Sequence, residues 1–121
     1  MMEASLQNHS HCSVLRVAGD LRLWDHEADE RELLKVLPPD MAFPGKRLVL
    51  GLAGLTHIDS LGITVLVKIV ILCTRNHVGI CTVLPGGTTG QSIRSTRIFA
   101  AWPDFKNEDE ALSQFAGQPA S

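Results

Sequence analysis

The sequence predicts an α/β domain in which about four helices pack on a mixed, mostly parallel sheet of four to five strands. Three observations predict it. Short apolar runs of strand length recur at Ser13–Ala18, Arg47–Leu52 and Ile80–Leu84. Longer stretches with helical spacing separate them, and that alternation implies a sheet covered by helices. The chain has 121 residues, 45% hydrophobic and 20% charged, enough for a single core without metal or disulfide staples.

The elements follow in order. Residues 1–12 are mostly polar and read as a flexible N-terminus, with the domain over 13–115 and a flexible tail at 116–121. Ser13–Ala18 is a strand, and Gly19-Asp20 marks a tight turn or bulge before a short second strand, Leu21–Leu23. Asp25 opens an acidic run with Lys35 late, an order that suits the helix dipole. Leu33, Leu34 and Leu37 offer that helix an inward stripe, and Pro38-Pro39 ends it. The loop that follows leads into Arg47–Leu52, a buried strand.

Leu61–Arg75 is ambiguous by propensity, because Ile, Val and Thr favour strands. Length decides for a helix: fifteen residues pass without a turn signal, whereas strands average about five or six. Gly62, Val65, Leu66, Ile69, Val70 and Cys73 then form one coherent inward stripe. Asn76–Gly79 stops the helix, and Ile80–Leu84 is a further buried strand. Pro85–Gly90 reads as a mobile loop, Gln91–Ala101 as a third helix, Phe105-Lys106 as a short edge strand, and Glu108–Phe115 as a final helix with an acidic first turn.

Composition narrows the function. A formal net charge of −2 gives no reason to expect nucleic acid or an anionic membrane as partner. Cys12, Cys73 and Cys81 lack any CxxC spacing and read as reduced thiols of a cytoplasmic protein. No signal peptide is expected. The apolar run Ile63–Cys73 falls short of the ~20 residues that span a bilayer, so no membrane insertion is expected.

The stretch "LTHIDSLGITVLV", residues 55–67, holds the main candidate site. A loop between a buried strand and a helix exposes its last residues at the carboxyl end of the sheet, where functional groups gather. Asp59 or Ser60 would cap the helix. A phosphate on Ser60 would suit a helix N-terminus and, beside Asp59, would make the spot strongly negative. Along the outer flank of the same helix lie Ile63, Thr64, Val67, Lys68 and Ile71, of which Ile63, Val67 and Ile71 would form an apolar strip rimmed by Thr64, Lys68 and Arg75, suited to protein binding. The opposing reading is that the neighbouring helix covers this strip.

Other candidates read as structural. His9, His11 and Cys12 lie close together in the polar terminus without a fourth metal ligand. Pro85–Gly90 lacks the Lys-Ser/Thr ending of a P-loop, and Arg94 and Arg97 read as a solvated face. A Ser60/His57 hydrolase would need a GxSxG elbow, which is missing.

Taken together, "HIDSLGITVL" after an apolar strand, the early Gly19-Asp20, and a late "EDEAL" resemble a STAS domain over Ser13–Leu112. More narrowly, they resemble the bacterial anti-sigma factor antagonists. The family motif maps onto Ile58, Asp59, Ser60, Leu61 and Gly62, with Leu61 replacing the usual Ser, Thr or Ala. The resemblance implies that Ser60 is the phosphorylated residue and that Asp59, Ser60, Leu61, Gly62, Ile63, Thr64, Val67, Lys68 and Ile71 carry the dock. It implies as partners an anti-sigma factor that is also a serine kinase of histidine-kinase-like ATPase fold, and a PP2C-type phosphatase. ATP would belong to the kinase, so no cofactor and no enzymatic activity are expected of this chain. The alternatives are a STAS subunit of a permanent assembly, such as a lipid-transport ATP-binding cassette complex, and the small hydrolase. The oligomeric state stays open.

Overall fold

The computed structural model describes residues 2–21, 26–100 and 102–115, with backbone alone at 26–29, 98, 100 and 115. The short strand expected at Leu21–Leu23, the helix start at Asp25, Ala101 and the tail 116–121 fall wholly or partly outside those residues.

Five strands form the sheet: β1 (Glu3–Asn8), β2 (Ser13–Leu21), β3 (Arg47–Gly51), β4 (Leu55–Ile58) and β5 (Gly79–Val83). β2 is the longest and bonds to three others. β1 runs antiparallel to it, with Glu3 opposite Ala18 and Asn8 opposite Ser13. β3 runs parallel to the first half of β2, with Ser13 opposite Leu48 and Arg16 opposite Gly51. β4 runs parallel to its second half, from Gly19 opposite Leu55 to Leu21 opposite Ile58. β5 lies parallel on the far side of β3.

Two strands were not expected. Residues 3–8, read as part of a flexible terminus, are β1. Ala4 and Leu6 alternate inward against the main core, and every residue of the segment has a partner on β2. Half-buried alternation of this kind is what a strand needs. Residues 55–58, read as loop, are β4. Gly19-Asp20 is a bulge rather than a turn: Gly19 has φ +88°, the β2–β4 register slips between these residues, and the strand continues to Leu21.

The helices are α1 (His26–Val36), α2 (Ser60–Arg75), α3 (Gly87–Arg94), α4 (Arg97–Ala100) and α5 (Glu108–Phe115). In α1, Leu33 is buried, as is Leu37 just beyond it, but Leu34 is 43% exposed. One residue turns the helix by about 100°, so adjacent leucines cannot share a narrow stripe. α2 buries the six residues its periodicity predicts. The single helix expected at Gln91–Ala101 is α3 and α4, and α3 starts at Gly87, inside the segment read as loop. Between them the hydroxyls of Ser95 and Thr96 donate to the carbonyl of Ser92, a local alternative to helix continuation. Near Phe105 a single bridge forms in place of an edge strand: Asp104 opposes Thr82, and Phe105 N donates to Thr82 O at 2.8 Å.

The two faces of the sheet are covered differently. Leu15, Val17, Leu48, Leu50 and Ile80 face a large core shared with Leu33, Leu66, Ile69, Ile93 and Phe99. The alternate residues Val14, Val49, Cys81 and Val83 face a smaller core closed by Ala111 and Leu112 of α5. Alternation along each strand thus fills two layers. Among the described residues no helix is long and apolar enough to cross a membrane.

Candidate functional site

The site is built where β4 hands the chain to α2. Asp59 is the N-cap: its backbone is extended, and its Oδ1 accepts from Gly62 N at 3.0 Å. That bond satisfies one of the donors every helix start leaves open. The cap is therefore Asp59, and Ser60 is the first helical residue. Ser60 is exposed, and its carbonyl accepts from Thr64 Oγ1 at 2.9 Å.

Gly62 is fixed by close approach. A Cβ built there would lie 2.1 Å from the carbonyl oxygen of Leu21 and 2.8 Å from Ile58 Cγ1. Only a residue without a side chain lets the first turn of α2 rest on the end of β2. Asp59 N reinforces the junction with a 3.4 Å bond to the same Leu21 oxygen. Gly62 thus positions the site from beneath, while Ser60 stands in solvent.

The outer flank of α2 is divided. Thr64, Lys68 and Ile71 are exposed, and Leu61, Ile63 and Val67 are half-buried. Val67 also packs on the main core. Lys68 Nζ reaches Glu30 Oε1 on α1 at 2.5 Å, tying the two helices together. The neighbouring helix therefore covers part of the strip and leaves Ile71 open at 38% exposure.

His57 is engaged away from Ser60. Its Nδ1 lies 2.7 Å from Asp20 Oδ1, and Thr56 Oγ1 donates to the same oxygen at 3.0 Å. Asp20 is the bulge residue opposite His57. Its role was not read from the sequence, because the 37-residue separation closes only through strand pairing. Thr89 Oγ1 donates to Thr56 O at 3.0 Å, so the start of α3 rests beside β4. Gly90 permits this turn: a Cβ there would meet Pro85 O at 1.9 Å.

The remaining candidates are dispersed. Cys12 is fully buried in the smaller core, whereas His11 is exposed. No three His, Cys, Asp or Glu side chains converge among the described residues. Arg94 is not a free cation, since it pairs with Asp104 at 3.0 Å.

Comparison with known proteins now gives the family. The profile of the STAS domain matches residues 3–111, nearly the whole chain. The chain belongs to the STAS domain family. None of the curated protein sequences matches this STAS domain. Among solved structures it is similar to an anti-sigma factor antagonist from Mycobacterium paratuberculosis, with 22% identity and a TM-score of 0.72 over 93% of this chain and 92% of that one. It is also similar to the anti-sigma factor antagonist SpoIIAA in its unphosphorylated form, with 15% identity and a TM-score of 0.68 over 96% of this chain and all of the other. At these identities the likeness is one of fold. The match extends over β1, which the sequence resemblance had placed outside the domain.

Proposed function

We propose that this STAS domain is an anti-sigma factor antagonist, a protein-binding module switched by phosphorylation of Ser60. One observation carries the proposal: the cap of α2 belongs to Asp59, so the exposed hydroxyl of Ser60 has no structural duty there. A helix N-terminus accommodates the added negative charge, and the fold beneath it does not have to change. The same charge, next to the Asp59 carboxylate, repels or displaces a partner that docks over the start of α2. The fold shared with two anti-sigma factor antagonists, one described in its unphosphorylated form, supports the reading.

In this scheme the unphosphorylated chain sequesters an anti-sigma factor of histidine-kinase-like ATPase fold and so frees a sigma factor. The kinase activity of that partner closes the cycle by modifying Ser60, and a PP2C-type phosphatase reopens it. Asp59, Ser60 and Leu61 form the head of the dock, the buried Gly62 supports it from beneath rather than contacting the partner, and Ile63, Thr64, Val67, Lys68 and Ile71 continue it along α2. The chain itself works in the cytoplasm and performs no chemistry.

The test is intact-mass analysis after incubation with the partner kinase and ATP. One phosphate is expected on the wild type and none on Ser60→Ala. Phosphate on the alanine variant would defeat the assignment. Stable co-purification with an ATP-binding cassette subunit, unaffected by Ser60→Asp, would instead select a permanent structural subunit.

A further inference from the structure

The two large apolar side chains that stand most open among the described residues meet at one place. Leu34 of α1 and Ile71 of α2, with Lys68, Leu72 and Arg75, line a groove of about 330 Å³ between the two helices. Ile63, Val67, Ile71 and Arg75 follow one another at four-residue spacing and form one ridge of α2. At about 1.5 Å per residue the groove begins roughly 12 Å beyond Ser60 and reaches Arg75 at roughly 22 Å.

The charges at the groove select its occupant. Among the described residues the charged groups lining it are both cations. Lys68 already holds Glu30, whereas Arg75 is exposed and has no carboxylate within ion-pair distance among the described residues. A second copy laid groove to groove would set another Lys68 and Arg75 against these cations, with its Glu30 held by its own Lys68. A segment that offers apolar side chains to Leu34 and Ile71 and one carboxylate to Arg75 satisfies both features.

We infer that the groove seats an amphipathic, acidic segment of the switching partner, so that the partner grips α2 at two points, Ser60 and the Leu34/Ile71/Arg75 groove. The inference rests on the reading of Ser60 given above. A phosphate at Ser60 then disturbs only the first point, and the complex loosens while the second contact persists.

The experiment is a calorimetric titration of the partner kinase with the wild type and with Ser60→Asp, Leu34→Glu, Ile71→Glu, Arg75→Glu and the Ser60→Asp/Ile71→Glu double variant. All three groove positions are exposed, and each variant is checked by its urea midpoint. Each groove variant is expected to weaken binding about tenfold or more, as buried interface anchors do. The double variant should lose binding that Ser60→Asp alone retains. If the wild type binds and Ser60→Asp weakens it, while the groove variants bind as the wild type does, the groove inference is overturned and the reading of Ser60 survives. No binding by the wild type removes both. A dimer of the chain alone in sedimentation that Ile71→Glu dissolves would give the groove to a second copy and overturn the inference.

Discussion

Arg16 and Glu108 form a two-pronged ion pair that fastens α5 to the sheet. Nε and Nη2 of Arg16 each donate to a different carboxylate oxygen of Glu108 at 2.6 Å. Arg16 lies opposite Gly51 in the sheet, and the Glu108 carboxylate rests over that glycine. The Arg16 hydrogen bonds hold the Glu108 carboxyl below the usual carboxylate range, against an opposing effect of burial.

The pH dependence follows from that direction. Because the folded carboxyl is the stronger acid, the unfolded chain takes up the proton first. The pair contributes fully above the ordinary carboxylate range, and its contribution fades as pH falls through the lowered value. Arg16 is 42% exposed and Glu108 30%, so the contribution is about 1 kcal/mol, the upper end for a pair still open to solvent. Urea midpoints of Glu108→Gln measured from pH 7 to pH 3 should start lower than wild type and converge on it in acid. Parallel curves would show that the pair is not the titrating element.

Asp59 and Ser60 should separate cleanly in stability measurements. Asp59→Ala removes the cap and should cost about 1 kcal/mol. Ser60→Asp adds a carboxylate to the first turn, where the dipole favours it, and should leave stability within about 0.5 kcal/mol. Chemical denaturation monitored by circular dichroism distinguishes the two. An equal loss in both would mean that Ser60 has a structural role.

Gly62→Ala should be among the most damaging of small substitutions. Its methyl would overlap the Leu21 carbonyl, so α2 has to lift from the end of β2. Overpacking of that kind costs roughly 1–3 kcal/mol, more than the gain in helix propensity from replacing glycine, about 1 kcal/mol. A thermal melt that shows Gly62→Ala more stable than wild type would contradict the close approach.

The thiols should be silent in the native protein. Burial pushes Cys73 and Cys81 up to about 12 and raises Cys12 as well, so thiolate, the reactive form, is scarce at neutral pH. Titration with a chromogenic disulfide reagent should report three thiols only after denaturant is added. Rapid native labelling of any of them would indicate local opening of the core.

How much of this was legible depends on where the determining partner lies. α2 and α5 are written in their own sequence, since a 3.6-residue pattern needs only itself to be recognised. β1 and β4 are not. In β1 the inward residues include only Ala4 and Leu6, a faint alternation among Glu3, Ser5 and Gln7. In β4 the exposed Thr56 and His57 give a polar centre that resembles a loop. Both become strands because β2 offers them backbone partners, a tertiary fact. The site divides the same way. "DSLG" announces a helix start, but the choice of Asp59 as cap, the Asp20–His57 contact and the exposure of Leu34 follow from packing between distant segments.

The tandem of β3 and β4 along one strand has a consequence for reach. The register advances from Gly51 opposite Arg16 to Leu55 opposite Gly19, so β4 prolongs the line of β3 past the rim where β5 stops. Four residues of extended chain add about 13 Å, and this extension sets the start of α2, with the exposed Ser60, beyond the end of β5. Under the function proposed above, a kinase would reach the exposed Ser60 at that end of the sheet.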